Sequence, residues 1–417
     1  MSSPDDFSLR RIAVAAYGPT ILYGLAEGAV LPVIPLSALA LGASVPATAL
    51  LVTLIGIGSM LTNLPASLIT ARHGERRALI AAALWCALAM VLCAVARHEA
   101  WLAVGCLMVG MAQAVFSLAR QSYLADAVPV SYRARAMSTM GGSQRVGAFI
   151  GPFLAAGAIS LGGLGGAYAV AVVALLAAAV LSAGVPEPQA RGDAGAALGG
   201  PMAASGPGLM ETLMAYRHVY ATVGVGVFLV NGVRAARQVA IPLWADHLGL
   251  TAATTSVIYG IAGAIDLALF YPAGKAMDHW GRRAVVLPSL VLMGAATLAL
   301  PWTYDATTLL IAAVVFGIGN GIGSGMVMTL GADLSPREGR PHFLGGWRLM
   351  ADVGATCMPG LISLLSATLT LGAGIAAVGV AAFVAAAQLG WWIPRVRRGP
   401  GGASGRVGDR GPGGGRP

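Results

Sequence analysis

Three acids and five arginines stand inside stretches that are otherwise apolar: Glu27, Asp266 and Asp352, against Arg120, Arg145, Arg234, Arg237 and Arg348. At bilayer depth an ionised group costs at least about 2.5–3.5 kcal/mol on insertion scales, so each implies a task and a partner. A carboxyl there can load and release a proton, provided an apolar site disfavours its charged form. A guanidinium there can pair with a carboxylate or hold an anionic solute. Glu27, about 16 residues into the first apolar run, is the first candidate for proton coupling, and Asp266 is the second. For each, a permanent ion pair with Arg234 or Arg237 is the competing reading. Arg348 and Asp352, at i and i+4, read as a structural pair. Arg234, Arg237, Arg120 and Arg145, with the amides Gln113 and Asn320, are candidates for the wall of a solute cavity. Fully ionised, the set keeps an excess of two positive charges, which leaves an organic anion open as the solute.

Other chemistries lack their residues. There is no HExxH, no His cluster and no pair of carboxylates in a loop, which argues against an enzyme. Cys86, Cys93, Cys106 and Cys357 all lie in apolar runs without a CxxC, so neither a metal site nor a disulfide is expected. No cofactor is implied. Without a Walker-type loop, ATP is not the direct source of work.

The elements that must carry these groups follow from composition. Over 417 residues, hydrophobics make up 57% and charged residues only 10%, with a mean hydropathy of +0.76. An average soluble domain holds about 25% charged residues, so no soluble surface can be built from this chain. The expected fold class is an all-α membrane protein of twelve transmembrane helices. Apolar runs lie at about 12–41, 46–70, 78–96, 101–127, 137–160 and 164–185, then at 218–245, 252–273, 284–302, 307–332, 341–366 and 371–393. The expected organisation is a bundle over 1–185, a Gly/Ala/Pro-rich loop over 186–216, a second bundle over 217–398 and a disordered tail over 399–417. The acids-first N-terminus, MSSPDDFSLRR, reads as a cytoplasmic start and not as a secretory signal.

Arginine in the short loops sets the orientation. One face collects Arg10, Arg11, Arg72, Arg76, Arg77, Arg133, Arg135, Lys275, Arg282, Arg283, Arg337, Arg340, Arg395, Arg397 and Arg398, while the other offers Arg97 and little else. This basic face, with both termini and the central loop, is expected to be cytoplasmic. Of the 26 bases, 25 are Arg dispersed over loops, so nucleic acid is not an expected partner. The lipid bilayer, a small-molecule solute and protons are, and a monomer is expected.

A repeat links the two sets of six helices. An offset of 207 residues superposes Ile34-Pro35-Leu36 on Ile241-Pro242-Leu243, Gly74 on Gly281, Arg76 on Arg283, and Gly110 on Gly317. It also brings Ala125-Asp126 onto Ala332-Asp333, Arg133 onto Arg340, Gly147 onto Gly354 and Pro152 onto Pro359. Pro, Asp and Arg are too scarce here for such a series to arise from composition. Two equivalent bundles with a site between them is the geometry of alternating access. The same offset pairs Glu27 with Arg234, and Gln113 with Asn320.

After the eighth run the chain reads GKAMDHWGRR, placing Gly274, Asp278, Gly281, Arg282 and Arg283 at the spacing GxxxDxxGRR. This resembles motif A of the major facilitator superfamily. The first-half copy, SLITARHGERR, keeps Arg72, Gly74 and Arg76 but has Ser67, Ala71 and Glu75 in place of Gly, Asp and the first Arg. Here Gly274 is expected to permit close helix approach and Gly281 a tight turn. Asp278 is expected to latch onto the start of the fifth helix near Arg135 to Ser138, and Asp126 and Asp333 to bind loop arginines. Gly147, Gly151 and Pro152 form GxxxGP, similar to the core of the family's motif C, although Ala155 and Ala156 replace its final glycines. The resemblance covers residues 11–395. It implies two six-helix bundles, alternating access and the plasma membrane of a prokaryote. Motif C leans toward the twelve-span drug:proton antiporter branch, whose fourth-helix Arg is replaced here by Cys106, four residues before Gly110. The expected function is proton-coupled export of a small amphipathic compound. A proton-coupled carrier of an organic anion is the alternative, and a non-transporting receptor or scaffold is a more distant one.

Overall fold

The computed structural model describes residues 9–128, 130–184, 209–323, 325–336 and 340–396. Among them every regular element is helical. That follows from the medium: hydrocarbon offers a backbone no partner, and a helix satisfies its N–H and C=O groups within one segment. The first bundle comprises α1 (Leu9–Val30), α2 (Val33–Ala40), α3 (Val45–His73), α4 (Glu75–Val95), α5 (Glu99–Ala127), α6 (Val130–Gly162) and α7 (Leu164–Ala183). The second comprises α8 (Leu209–Ala215), α9 (Val225–His247), α10 (Ala252–Trp280), α11 (Arg282–Ala299), α12 (Ala306–Ile322), α13 (Met326–Leu334), α14 (Arg340–Thr368) and α15 (Leu371–Val396). Among the described residues, twelve helical stretches are long and apolar enough to cross a membrane. Two spans are interrupted: the first bends at Leu31-Pro32 between α1 and α2, and the tenth breaks between α12 and α13. The sixth element, α6, begins at Val130, earlier than the apolar pattern placed it, because a helix outlasts its lipid-facing stretch where charges meet water.

The 207-residue offset is physical. Gly42 and Gly249 both hold positive φ, and so do Gly74 and Gly281 at 84° each, a region L side chains avoid. Ser44 and Thr251 cap α3 and α10, each accepting from the amide three residues on. A Cβ on Gly110 would run into the Ile55 carbonyl, and one on Gly317 into that of Ala262. Gly147 likewise rests on the Ile21 carbonyl and Gly354 on that of Phe228. In each case glycine and contact are both displaced by 207, so the repeat preserves helix crossings along with residue types.

Across the bundles α3 faces α14 and α6 faces α10. Ser363 donates to the Pro46 carbonyl at 2.7 Å, Gly56 packs on Thr356, and Phe153 with Pro152 covers Gly260. These contacts join the bundles as a seal on the side away from the basic face, and Gly56 and Thr356 of that seal also line the space between the bundles.

Candidate solute and proton site

Helix α1 is drawn against α6 by small residues. A Cβ on Gly24 would meet the Gln144 carbonyl, one on Gly28 that of Ala148, and one on Gly151 that of Leu25. This close approach places Glu27 beside Gln144. Gln144 Nε2 donates to Glu27 Oε2 at 2.8 Å, while Gln144 Oε1 accepts from Arg120 Nη2 at 2.6 Å. Arg120 Nη2 also lies 3.4 Å from Ser117 Oγ, and Gln113 faces the Glu27 carboxyl. The result is a hydrogen-bonded chain from Glu27 through Gln144 to Arg120. Arg120 is only 9% exposed, and its Nε and Nη1 find no acceptor among the described residues. Tyr23 stacks on Phe116 with ring centroids 4.0 Å apart, walling the chain with aromatic surface.

The second carboxylate sits at the seam. Asp266 Oδ1 pairs with Arg145 Nη1 at 3.0 Å, and Asp266 Oδ2 accepts from Asn320 Nδ2 at 2.8 Å. Arg145 belongs to α6 and Asp266 to α10, so the pair joins the bundles. The Arg145 guanidinium also lies 4.7 Å from the Phe270 ring centroid. Thus each amide of the repeat, Gln113 and Asn320, attends a carboxyl of its own bundle, although the carboxyls are not repeat mates.

Arg234 and Arg237 face neither acid as an ion-pair partner. Arg234 Nη2 donates to the Gly323 carbonyl at 2.5 Å, in the gap that separates α12 from α13. The gap exposes a carbonyl that an unbroken helix would use internally. Arg237 lies over the Tyr259 and Phe316 rings at 4.7 and 5.7 Å. Repeat equivalence therefore does not bring Glu27 and Arg234 together: each points into its own bundle.

A cavity of about 220 Å³ lies between the bundles, bounded by Ser59, Gln113, Ser117, Gln238, Arg348 and Asp352 among others. A smaller one, about 50 Å³, carries Glu27 and shares Ile55, Gln113 and Gln238 with it. Glu27 thus adjoins the central cavity. Arg348 Nε and Asp352 Oδ2 are 3.9 Å apart and 53% and 34% exposed, a loose pair on the cavity wall. Sequence reading passed over Gln144, Gln238, Ser59 and Ser117. Gln144 had a signal, as the polar residue one turn before Gly147 on the face that meets α1.

Of the motif residues, Gly281 occupies the turn at positive φ, and Arg282 Nε pairs with Asp333 Oδ2 at 3.0 Å. Arg72 and Arg283 are exposed and Arg76 is half-buried. The expectation for Gly274 is corrected: nothing lies within 4 Å of a Cβ there, because its side of α10 is uncovered in this conformation. The side chains of Asp278, Arg135, Ser138 and Asp126 lie outside the described residues, as do the loop from 185 to 208 and the tail from 397. Gly147 and Gly151 serve the α1–α6 crossing, while Pro152 reaches α10.

A sequence model described as the Major Facilitator Superfamily matches residues 20–232 and 223–412. Two proteins named as uncharacterised, Rv2265 of Mycobacterium tuberculosis and Mb2288 of Mycobacterium bovis, are each 28% identical over 268 residues, covering 62% of this chain. The chain spans 59% of the length of these curated relatives. Among solved structures, a D-xylose-proton symporter superposes with a TM-score of 0.73 at 16% identity, over 92% of this chain and 97% of that one. A bacterial homolog of the human lysosomal transporter Spinster, inward-facing and unoccupied, gives 0.73 at 14% identity over 93% and 96%. A POT family transporter in complex with 5-aminolevulinic acid gives 0.70 at 11% over 93% and 96%. At such identities the likeness is one of fold.

Proposed function

The chain belongs to the Major Facilitator Superfamily, and from that premise we propose that it is a proton-coupled secondary transporter that exports a small amphipathic compound by alternating access. The observation that carries this reading is the Glu27–Gln144–Arg120 chain beside a central cavity sealed on one side. A carboxyl in that position can exchange a proton with the cavity while Arg120 answers its charge through Gln144. Asp266 is the second coupling candidate, since its charge holds the bundles together through Arg145. The cavity wall combines Ser59, Gln113, Ser117 and Gln238 with apolar neighbours, which suits a solute with both kinds of surface. The termini and basic face are cytoplasmic in this proposal, the membrane is the plasma membrane and the working unit is a monomer.

Glu27→Gln tests the coupling, because it keeps shape and hydrogen bonding while locking the side chain neutral. In proteoliposomes the variant should lose transport driven by a pH gradient and retain solute exchange. If it concentrates solute as steeply as wild type under the same gradient, the coupling role passes to Asp266.

A second reading, an organic-anion solute, draws on a separate observation. Arg120, Arg234 and Arg237 each leave at least one buried guanidinium nitrogen without an acceptor among the described residues. Buried donors without partners are rare and call for a ligand or water. Stronger inhibition of transport by carboxylate compounds than by their neutral amides would favour this reading over the first.

A further inference from the structure

On the outer wall of the second bundle, α11 and α15 leave a groove of about 730 Å³ between them, remote from the central cavity. Its two rails follow one polarity order. Along α11 the lining residues recur every four positions as Arg283, Leu287 and Val291. Along α15, read back from its end, they recur likewise as Arg395, Trp391 and Ala387. Residues four apart share a helix face, so each rail is a continuous stripe. Both stripes start with a guanidinium at the basic face, where α11 begins and α15 ends, and carry only Leu287, Trp391, Val291 and Ala387 over the next ~12 Å. Ala386, Gly390 and Pro394 complete the lining.

The two guanidiniums are available for a ligand. Arg283 is exposed and, among the described residues, has no carboxylate within ion-pair distance. Arg395 is held in place by its own helix. Its Nη1 donates to the Trp391 carbonyl at 2.7 Å, and its guanidinium carbon lies 3.5 Å from the Trp391 ring centroid. That leaves its remaining N–H groups for an external acceptor. Trp391 itself is 59% exposed, placed as an aromatic ring sits at a headgroup boundary. Cation first, aromatic next and aliphatic deeper is the complement of a phospholipid with an anionic headgroup, and basic recesses between membrane helices hold such headgroups.

We propose that the α11–α15 groove is a binding site for one anionic phospholipid, its phosphate between Arg283 and Arg395 and an acyl chain along Leu287, Val291 and Ala387. The site is independent of the transport reading.

The test uses the full chain, reconstituted in vesicles of equal parts dioleoyl phosphatidylglycerol and dioleoyl phosphatidylcholine, extracted and weighed by native mass spectrometry. Wild type should retain phosphatidylglycerol in preference to phosphatidylcholine. Arg283→Gln with Arg395→Gln should cut that preference about thirty-fold, at about fivefold for each arginine near the surface. Arg217→Gln, on the same face but outside the groove, should leave it unchanged. Ala387→Trp fills the groove and keeps both charges, so it should displace the lipid without loss of the arginines. Retention unaffected by the double variant and by Ala387→Trp overturns the proposal, whether the groove is then empty or covered by the chain's own tail. Displacement of the bound lipid by millimolar inorganic phosphate alone would also overturn it, by showing a free-anion site.

Discussion

Arg145 of α6 and Asp266 of α10 meet at 3.0 Å, so a residue of each bundle is tied to the other through one ion pair at the middle of the α6–α10 seam. Asn320 and the Phe270 ring complete the surroundings, from the second bundle on both counts. In the proposed alternating-access cycle this pair acts as a tether whose two halves separate as the bundles rock, and its strength sets how long the closed side stays closed.

Removing either end should loosen that side. Asp266→Asn and Arg145→Gln should each raise the reactivity of a cysteine placed at Ser363, beside Pro46 in the seal. Residues in direct contact couple by about 0.5–3 kcal/mol, so the double variant should be less perturbed than the sum of the singles. Additive effects on cysteine reactivity would show that the pair carries no tethering energy.

Gln144 is the joint between Glu27 and Arg120, so its loss should be felt in coupling before folding. Gln144→Leu fits a similar volume but leaves both charged groups without their bridge. The pH profile of transport should change while the yield of folded protein holds. An unaltered pH profile with full activity would mean that Glu27 and Arg120 act separately.

Two glycines should respond oppositely to alanine. Gly147→Ala pushes a methyl into the Ile21 carbonyl and the Leu25 amide. Such overpacking costs about 1–3 kcal/mol, and the melting temperature in detergent should fall. Gly274→Ala meets nothing within 4 Å inside α10, where removing glycine typically stabilises by roughly 0.5–1 kcal/mol. Its melting temperature should hold or rise.

Asp305 caps α12 from outside the membrane-spanning stretch. Its carboxyl accepts from the Thr308 hydroxyl at 2.6 Å and the Thr308 amide at 2.8 Å, which holds it below the usual carboxylate range. A lowered value in the folded state means the stabilisation is full above the ordinary carboxylate range and disappears as pH falls through the lowered one. The protection factor of the Thr308 amide against hydrogen exchange should therefore drop on going from about pH 6 to about pH 3. Asp305→Asn keeps a capping oxygen and should lose that pH dependence. A drop of equal size in the variant would assign the effect to another group.

Much of the architecture was legible in the residues because the bilayer permits few solutions. Twelve apolar stretches had to be helices, and scattered Arg had to gather on one face. The 207-residue offset could be read because crossings that need glycine recur with it: Gly110 on Ile55 became Gly317 on Ala262, and Gly147 on Ile21 became Gly354 on Phe228. The eight intramembrane charges were also visible, since an ionised group in an apolar run stands out by composition alone.

Partnership was decided only in three dimensions. Glu27 and Arg234 are equivalent by the repeat, yet equivalence relates positions in two separate bundles and says nothing of contact between them. Glu27 reaches Gln144 because small residues bring α1 onto α6, and Arg234 turns to Gly323 because the tenth span breaks and frees a carbonyl. Asp266 finds Arg145 because α6 and α10 share the seam. Each outcome depends on how a helix is rotated about its axis and which neighbour it meets. Residue types along one chain carry the cost of burying a charge, but the distance that offsets it is a property of the packed bundles.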